Sequence, residues 1–320
     1  MATQIFRRLE DIQLDTRSII TVGTFDGLHR GHQEIIRALK KEARARQGST
    51  TVVTFDPHPQ VVLQRPDKPP VQILSTAAEK IALLQHENVD RVLVIPFTLE
   101  FSRRASENFV REILCQRVGL QAMVVGHDHG FGKNREGDFA TLQRLGSGLG
   151  FAVHEVPPFE LGGVTLSSTK VREALLNGEV EKASEYLGRQ YALSGTVEHG
   201  DERGRTLGFP TANLRPGNGN KLAPANGVYA VWVEIVDSAA VHPEAAKKYP
   251  AMLNIGLRPT FGKLTRTIEA HLLDFSGELY GATLNIYFSK RLRNEQKFES
   301  PAALVAQLHR DREVARQALR

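Results

Sequence analysis

Five short apolar runs punctuate the first half of the chain: Ser18–Val22, Thr50–Phe55, Arg91–Pro96, Ala122–Val125 and Phe151–Val156. Each is rich in apolar and β-branched residues without strict alternation, as strands covered on both faces are. Between them the apolar residues return at helical spacing. Ile35, Leu39 and Ala43 share one face of Gln33–Gln47, and Phe109, Ile113 and Leu114 share one face of Ser106–Val118. Ala77–His86 and Val180–Leu187 read as two more helices, the second ending at Gly188. Strand and helix in alternation predict a parallel α/β sheet with crossover helices.

Beyond Gly188–Tyr191 the period changes from helical to two. Ile268, Ala270 and Leu272 alternate with Glu269 and His271, and Leu284, Ile286 and Phe288 alternate with Asn285, Tyr287 and Ser289. Gly227–Val236 is a third long strand, and Pro301–Leu319 closes the chain as a helix. Strands parted by Gly and Pro turns predict a small antiparallel β-barrel. The expected fold class is therefore α/β plus all-β, with one domain over residues 1–188 and another over 189–320.

Composition trims the choice of function. A length of 320 residues suits two domains. No apolar run reaches the roughly 18 residues of a membrane span. Met1–Glu10 carries Arg7 and Arg8 without the apolar centre of a signal peptide. The one cysteine, Cys115, allows no intrachain disulfide and sits on a helical apolar stripe, so a reducing cytoplasm is the expected compartment. The net charge of +5 favours anionic ligands mildly. No basic stripe interleaved with aromatics is present, so neither nucleic acid nor membrane is an expected partner.

The chemistry gathers at strand ends. Thr21–His32 (T-V-G-T-F-D-G-L-H-R-G-H) runs from a strand through a glycine-rich turn into a helix, a sequence that aims backbone N–H groups at a phosphate. His29 and His32 can face one ligand there and donate to its oxygens. As a metal pair they would lack a Cys or a second His/Glu pair. Asp56-Pro57-His58-Pro59 stiffens the end of the second strand, and Gly126–Lys133 follows the fourth, both at the edge where open parallel sheets bind ligands. Leu166-Ser167-Ser168-Thr169-Lys170-Val171-Arg172 sets hydroxyl caps and an arginine at a helix start. In the second half, glycines at 195, 200, 204 and 208 form a loop able to wrap phosphates, though it is not a P-loop. Thr211 and Asn213 offer oxygens two positions apart, which suits Mg²⁺ bound to nucleotide phosphates. By periodicity alone Glu269 is an outward, solvated carboxylate.

Whole strings say more than their parts. G-x-F-D-G-x-H-x-G-H resembles the H-x-G-H signature of the nucleotidyltransferase superfamily, whose Rossmann-like domain transfers a nucleotidyl group to a phosphorylated acceptor. With S-S-T-x-x-R, G-x-x-x-G-R-x-L-G-F-P-T-A-N-L and I-E-A-H-L-L-D-F, the chain is similar to the bacterial bifunctional riboflavin kinase/FAD synthetases over nearly its whole length. That resemblance implies riboflavin phosphorylation to FMN by the barrel and adenylylation of FMN to FAD, with pyrophosphate released, by the α/β domain. It implies catalytic roles for His29, His32 and Arg172, and nucleotide contacts at Gly23, Thr24, Phe25, Asp26, Gly27, Ser167, Ser168 and Thr169. In the kinase it implies nucleotide contacts at Gly200, Gly204, Arg205, Gly208, Pro210, Thr211 and Asn213, Mg²⁺ at Thr211 and Asn213, and Glu269 as the base. Flavin contacts are implied at Phe55, Pro57, His58, Pro59, Asp128 and Phe131, and at Arg293, Glu295 and Phe298. His129 and Gly130 depart from the family's usual V-G-x-D-F-x-F-G. ATP with Mg²⁺, riboflavin, FMN and FAD are the implied small molecules, with FAD handed over to apo-flavoproteins. Two other readings remain at this point: a flavin-binding regulator without turnover, or a transferase for another phosphorylated acceptor.

Overall fold

The computed structural model describes residues 2–64, 69–127, 130–132, 136–200, 204, 207–236, 247–260 and 263–320. They part into two compact units, Met1–Ser168 and Thr169–Arg320.

In the first unit, β1 (Gln4–Phe6), β2 (Ser18–Val22), β3 (Ser49–Asp56), β4 (Arg91–Pro96), β5 (Leu120–Gly126) and β6 (Ala152–Val156) form one parallel sheet in the order β1-β4-β3-β2-β5-β6. β2 is buried at every position. Its alternate side chains serve two cores. Ile19 packs with Val52, Val92 and Val124 under α1 (Arg30–Ala45) and, after the single-turn α2 (Pro59–Val62), under α3 (Ala77–His86). Ile20 and Val22 pack with Val53, Leu93, Met123 and Val125 on the opposite face. The strand order reverses at β2, which has β3 on one side and β5 on the other. That reversal opens a crevice beyond the carboxyl ends of the strands.

The helix expected over Ser106–Val118 is of another kind. After α4 (Leu99–Ser102), a short α5 (Ser106–Asn108) passes into a π-helix, Phe109–Val118. Its buried residues Phe109, Ile113, Leu114 and Val118 are spaced by four and five, so a turn wider than 3.6 residues keeps them on one face. Gly119 ends it with φ of +99°, where a Cβ would collide with the Asp15 carbonyl. α6 (Phe139–Leu149) completes this side. A hairpin of β7 (Glu160–Leu161) and β8 (Val164–Thr165) follows β6.

α7 (Ser168–Leu176) and α8 (Val180–Leu187) lead into the second unit. There β9 (Ala192–Glu198), β10 (Ala212–Pro216), β11 (Gly227–Val236), β12 (Lys248–Thr260), β13 (Lys263–Leu272) and β14 (Thr283–Arg293) close an antiparallel barrel in the order β10-β13-β12-β11-β14-β9. The period-two positions Leu284, Ile286 and Phe288 are fully buried, as expected. The compact units divide before α7, whereas the sequence reading divides the chain at Gly188. Within the second unit Arg291 donates to the Asn177 carbonyl at 2.9 Å, and Ala225 N–H to that of Leu175 at 2.9 Å.

α9 (Pro301–Ala318) is held by an ion pair. Arg293 grips both carboxylate oxygens of Asp311 at 2.8–3.1 Å, and Gln307 adds a bond at 2.8 Å. The Asp311 side chain is 5% exposed. Removing one partner strands the other charge in a site with little water. Asp311→Ala should therefore lower the stability of the second unit by about 3 kcal/mol. In urea unfolding, the barrel transition should move to lower denaturant while that of the first unit stays in place.

Candidate active sites

The turn from β2 into α1 is built on three left-handed residues in four: Phe25 (φ 46°), Gly27 (77°) and Leu28 (39°). Two of them carry side chains, a conformation that persists only where the surroundings enforce it. Both are buried in the core under α1. His29 then caps α1, its Nδ1 accepting from the His32 N–H at 3.4 Å. The two imidazoles stack with centroids 3.7 Å apart, and Phe25 sets its ring edgewise to His32 at 5.2 Å. A Cβ on Gly31 would lie 3.1 Å from the His29 ring, so glycine there lets the pair close up.

Asp26 fixes the turn from outside. Its carboxylate is 2% exposed and accepts from the N–H groups of Leu74 and Ser75, each at 2.9 Å, and from Ser75 Oγ at 3.3 Å. Gly27 N–H donates back to Ser75 Oγ at 2.9 Å, and Ser168 Oγ donates to the Asp26 carbonyl at 2.9 Å. The second string thus reaches the first through Ser168. Ser167 is half-buried beside it, whereas Thr169, exposed, and Arg172, half-buried, fall in the second compact unit. Directly after Ser75, a Thr76–Glu79 capping box starts α3 and delivers Lys80. Its Nζ, buried, donates to the carbonyls of Thr24 at 3.0 Å and Phe55 at 2.9 Å. Burial lowers its pKa to about 8, against the pull of Asp26 and Asp56. Neither Ser75 nor Lys80 was legible as a site residue. Only the S-T-x-x-E cap before the helix hinted that something was anchored there.

Along the same strand ends runs a line of phenylalanines. Phe55 meets Phe97 at 5.6 Å, Phe97 meets Phe101 at 5.8 Å, Phe101 meets Phe109 at 6.0 Å, and Phe109 meets Phe131 at 5.8 Å. Of these, the sequence strings marked only Phe55 and Phe131. Between Phe55 and α2, the Asp56–Pro57 peptide is cis and His58 Nδ1 caps α2 by accepting from Gln60 N–H at 3.1 Å, ahead of Pro59. Asp128 lies outside the described residues.

In the second unit the glycine loop presses on the two oxygen donors. A Cβ on Gly200 would overlap the Asn213 carboxamide, and one on Gly204 would stand 3.4 Å from Thr211 Oγ1. Gly208 turns with φ of +77°, and Arg205 lies outside the described residues. Asn213 is the register partner of Glu269, and Glu269 that of Asn254. Residues opposite one another share a face, so the three polar side chains line one side of β10, β13 and β12. The outward, solvated reading of Glu269 fails, since the residue is only 9% exposed. A Cβ on Gly256 would overlap the Glu295 carboxylate, which Asn226 Nδ2 also reaches at 3.5 Å. Arg293 is engaged by Asp311 and stands over the Phe298 ring at 5.7 Å. His271 ties the face to the loop through Nδ1 and the Pro210 carbonyl, 2.8 Å apart. Its ring meets Phe209 edgewise at 5.2 Å. Among the described residues no cluster of three His, Cys, Asp or Glu side chains could hold a metal.

Two family models match the chain, one described as FAD synthetase over residues 11–170 and one as riboflavin kinase over residues 187–319. The bifunctional riboflavin kinase/FMN adenylyltransferase of Escherichia coli strain K12 is 40% identical over 93% of this chain and 92% of its own. Its counterpart in Pseudomonas fluorescens is 37% identical over 98% of this chain and 97% of its own. A crystal structure described as a macrolide-efflux protein from Streptococcus pneumoniae superposes with a TM-score of 0.86 at 32% identity, covering 99% of both chains. Among the described residues no helix is long and apolar enough to cross a membrane.

The His271 contact carries a pH signature. Burial, and to a lesser degree Arg312, push its pKa below the ordinary 6.5, although the bond to Pro210 O pulls the other way. The ring is therefore neutral near pH 7, with the proton on Nδ1. The unfolded chain binds a proton more readily, so this contribution to stability is complete above about pH 6.5 and is lost as pH falls further. His271→Asn keeps a donor but does not titrate. The difference in barrel melting temperature between the two proteins should fall in favour of the variant as pH drops from 7 to 5.

Proposed function

The chain belongs to the family of bifunctional riboflavin kinase/FMN adenylyltransferases, and from that premise we propose how its two sites divide the work. The barrel phosphorylates riboflavin to FMN, and the parallel-sheet domain joins FMN to the adenylyl group of ATP to give FAD. The observation that carries the assignment is the stacked His29–His32 pair at the start of α1, set at the reversal of strand order.

For adenylylation, an FMN phosphate oxygen attacks the α-phosphorus of ATP, and the bond to the β-phosphate breaks to release pyrophosphate. The nucleophile is already anionic, so the site supplies donors and needs no base. His29 and His32 give N–H bonds to the phosphates, at the positive end of the α1 dipole. Gly23, Thr24, Phe25, Asp26 and Gly27 shape the bed for the nucleotide. Ser167, Ser168, Thr169 and Arg172 hold the triphosphate tail, Ser168 through its hold on Asp26. The phenylalanine line from Phe55 to Phe131 offers a wall for the isoalloxazine ring, edged by Pro57, His58 and Pro59, and the resemblance assigns Asp128 to the same ligand.

For phosphorylation, the terminal ribityl hydroxyl loses its proton to Glu269 as its oxygen attacks the γ-phosphorus of ATP, and ADP leaves. Gly200, Gly204, Gly208, Pro210 and Thr211 contact the phosphates, and the resemblance adds Arg205. The oxygens of Thr211 and Asn213, which glycine at 200 and 204 lets the backbone approach closely, would suit a hard cation bound to nucleotide phosphates. Mg²⁺ held there by Thr211 and Asn213 would offset phosphate charge. Glu295 and Phe298 face riboflavin, with Arg293 fixing Phe298 in place. ATP and the flavins meet the enzyme in the cytoplasm, and FAD passes on to apo-flavoproteins.

The two steps should come apart by mutation. Loss of one preorganised donor costs roughly 10² to 10³ in rate, so His32→Ala should nearly stop FAD synthesis from FMN and spare riboflavin phosphorylation. Glu269→Gln should do the reverse, lowering FMN formation by roughly 10² to 10⁴ with FAD synthesis intact. Chromatographic assay of FMN and FAD from each variant decides the matter, and either variant with parental activity in its own step overturns the assignment.

The functional division falls at residues 1–188 and 189–320, since Arg172 belongs with the first activity. Expressed separately, 1–188 should make FAD from FMN and 189–320 should make FMN from riboflavin. Because α7 and α8 pack with the barrel, the fragment 169–320 should melt at a higher temperature than 189–320 at equal kinase activity.

A further inference from the structure

The segment Leu74–Lys80 touches the nucleotide turn at three points, and its last contact is a buried ammonium group. Lys80 Nζ bridges the carbonyl of Thr24, in the turn between β2 and α1, and that of Phe55, at the end of β3. The Thr24 carbonyl accepts a second bond, from Thr54 Oγ1 at 3.2 Å. Thr24 opens the nucleotide bed and Phe55 the flavin wall, so one side chain joins the supports of both substrates.

Burying an ammonium is expensive, and two neutral carbonyls could be tied as well by an uncharged donor. A charge kept here does something a neutral donor would not. Both substrates of the adenylylation step are phosphate anions, and both approach the carboxyl ends of parallel strands, where backbone carbonyls point outward. In a site of low dielectric a fixed cation bound to two of those carbonyls offsets their field and favours anions nearby. We propose that Lys80 is a positioning residue for FAD synthesis, whose positive charge holds the Thr24 and Phe55 carbonyls and supports phosphate binding from below. The inference rests on the assignment of the His29–His32 turn to adenylylation. The contacts of Lys80 Nζ are to backbone carbonyls, so its role is one of support.

The charged groups facing Lys80 are Asp26 from the turn and Asp56 from β3, both favouring the protonated form. Burial outweighs them, and the amine titrates at about 8 instead of 10.5. Two consequences point in opposite directions. Activity that needs the charge falls as pH rises through about 8. Stability from this group rises over the same window, because between the two values the unfolded chain binds the proton more tightly. Simple unfolding at alkaline pH would lower both together.

The experiment measures kcat/KM for FAD synthesis from pH 6.5 to 9.5 on the full chain, since kcat/KM reports the free enzyme. Riboflavin phosphorylation in the same protein is the internal control, and thermal melts are recorded at each pH. The expected wild-type profile falls above about pH 8 for FAD synthesis alone, with no loss of melting temperature in the first unit. Lys80→Met should lower FAD synthesis about ten- to hundredfold, as for one charged hydrogen-bonding group lost, and abolish the alkaline fall. Lys80→Arg, which stays charged throughout, should retain more activity than Lys80→Met and show no fall either. A Lys80→Met enzyme with the parental rate and profile overturns the proposal. If Lys80→Met does not fold, the wild-type profile decides, and a flat one overturns it equally. His32→Ala is run alongside: if it leaves FAD synthesis intact, the site assignment itself is wrong. If it stops FAD synthesis while Lys80 proves indifferent, only the role of Lys80 is lost.

Discussion

The carboxylate of Asp26 is the constraint on which the first site depends. A turn that places Phe25 and Leu28 in the left-handed region does not hold itself. Asp26 anchors it from the middle, receiving two backbone amides and a hydroxyl from Leu74 and Ser75. The same anchor fixes where Gly27 points, and therefore where His29 begins α1. The stack of His29 on His32 follows from the cap, because a Nδ1 that accepts from the His32 amide leaves the rings side by side. The geometry available to phosphate thus traces back to a group that does no chemistry.

How much of this could be read from residues alone depends on the range of the interaction that sets each feature. The ends of β2 and β4 were legible to the residue, because strands buried on both faces are continuous apolar runs with sharp ends. β14 was legible through alternation, β11 as one long apolar run, and α8 through its terminal glycine. α1 starts three residues before the apolar stripe suggests, since a histidine does the capping that Ser, Thr, Asp or Asn usually does. The π-helix was hidden, because a spacing of four and five passes for helical until its partners show which turn width satisfies it.

The site divides along the same line. Strings of neighbouring residues announced the histidines, the hydroxyl cap and the threonine and asparagine of the barrel. Ser75, Lys80, Phe97 and Phe101 carry no local signature, for their meaning arises only when distant strand ends are brought together. Glu269 shows the limit most clearly. Period two tells which face a residue takes and says nothing about what covers that face, and here Asn213 and Asn254 flank the carboxylate on either side.

The buried charges of the two sites match the nucleophiles they serve. An FMN phosphate arrives ionised, and its difficulty is approaching a second, more heavily charged phosphate. The proposed cation at Lys80 and the histidine donors would meet that difficulty, and a carboxylate facing the phosphates would worsen it. Asp26 is therefore turned away into the amides of Leu74 and Ser75. A ribityl hydroxyl arrives neutral, and its difficulty is losing a proton while it attacks. There, on the proposed assignment, the buried Glu269 between Asn213 and Asn254 would be the useful group. On that assignment one chain would serve two acceptors with opposite electrostatic needs, and the reversed sign of the buried charge would keep each site suited to its own acceptor.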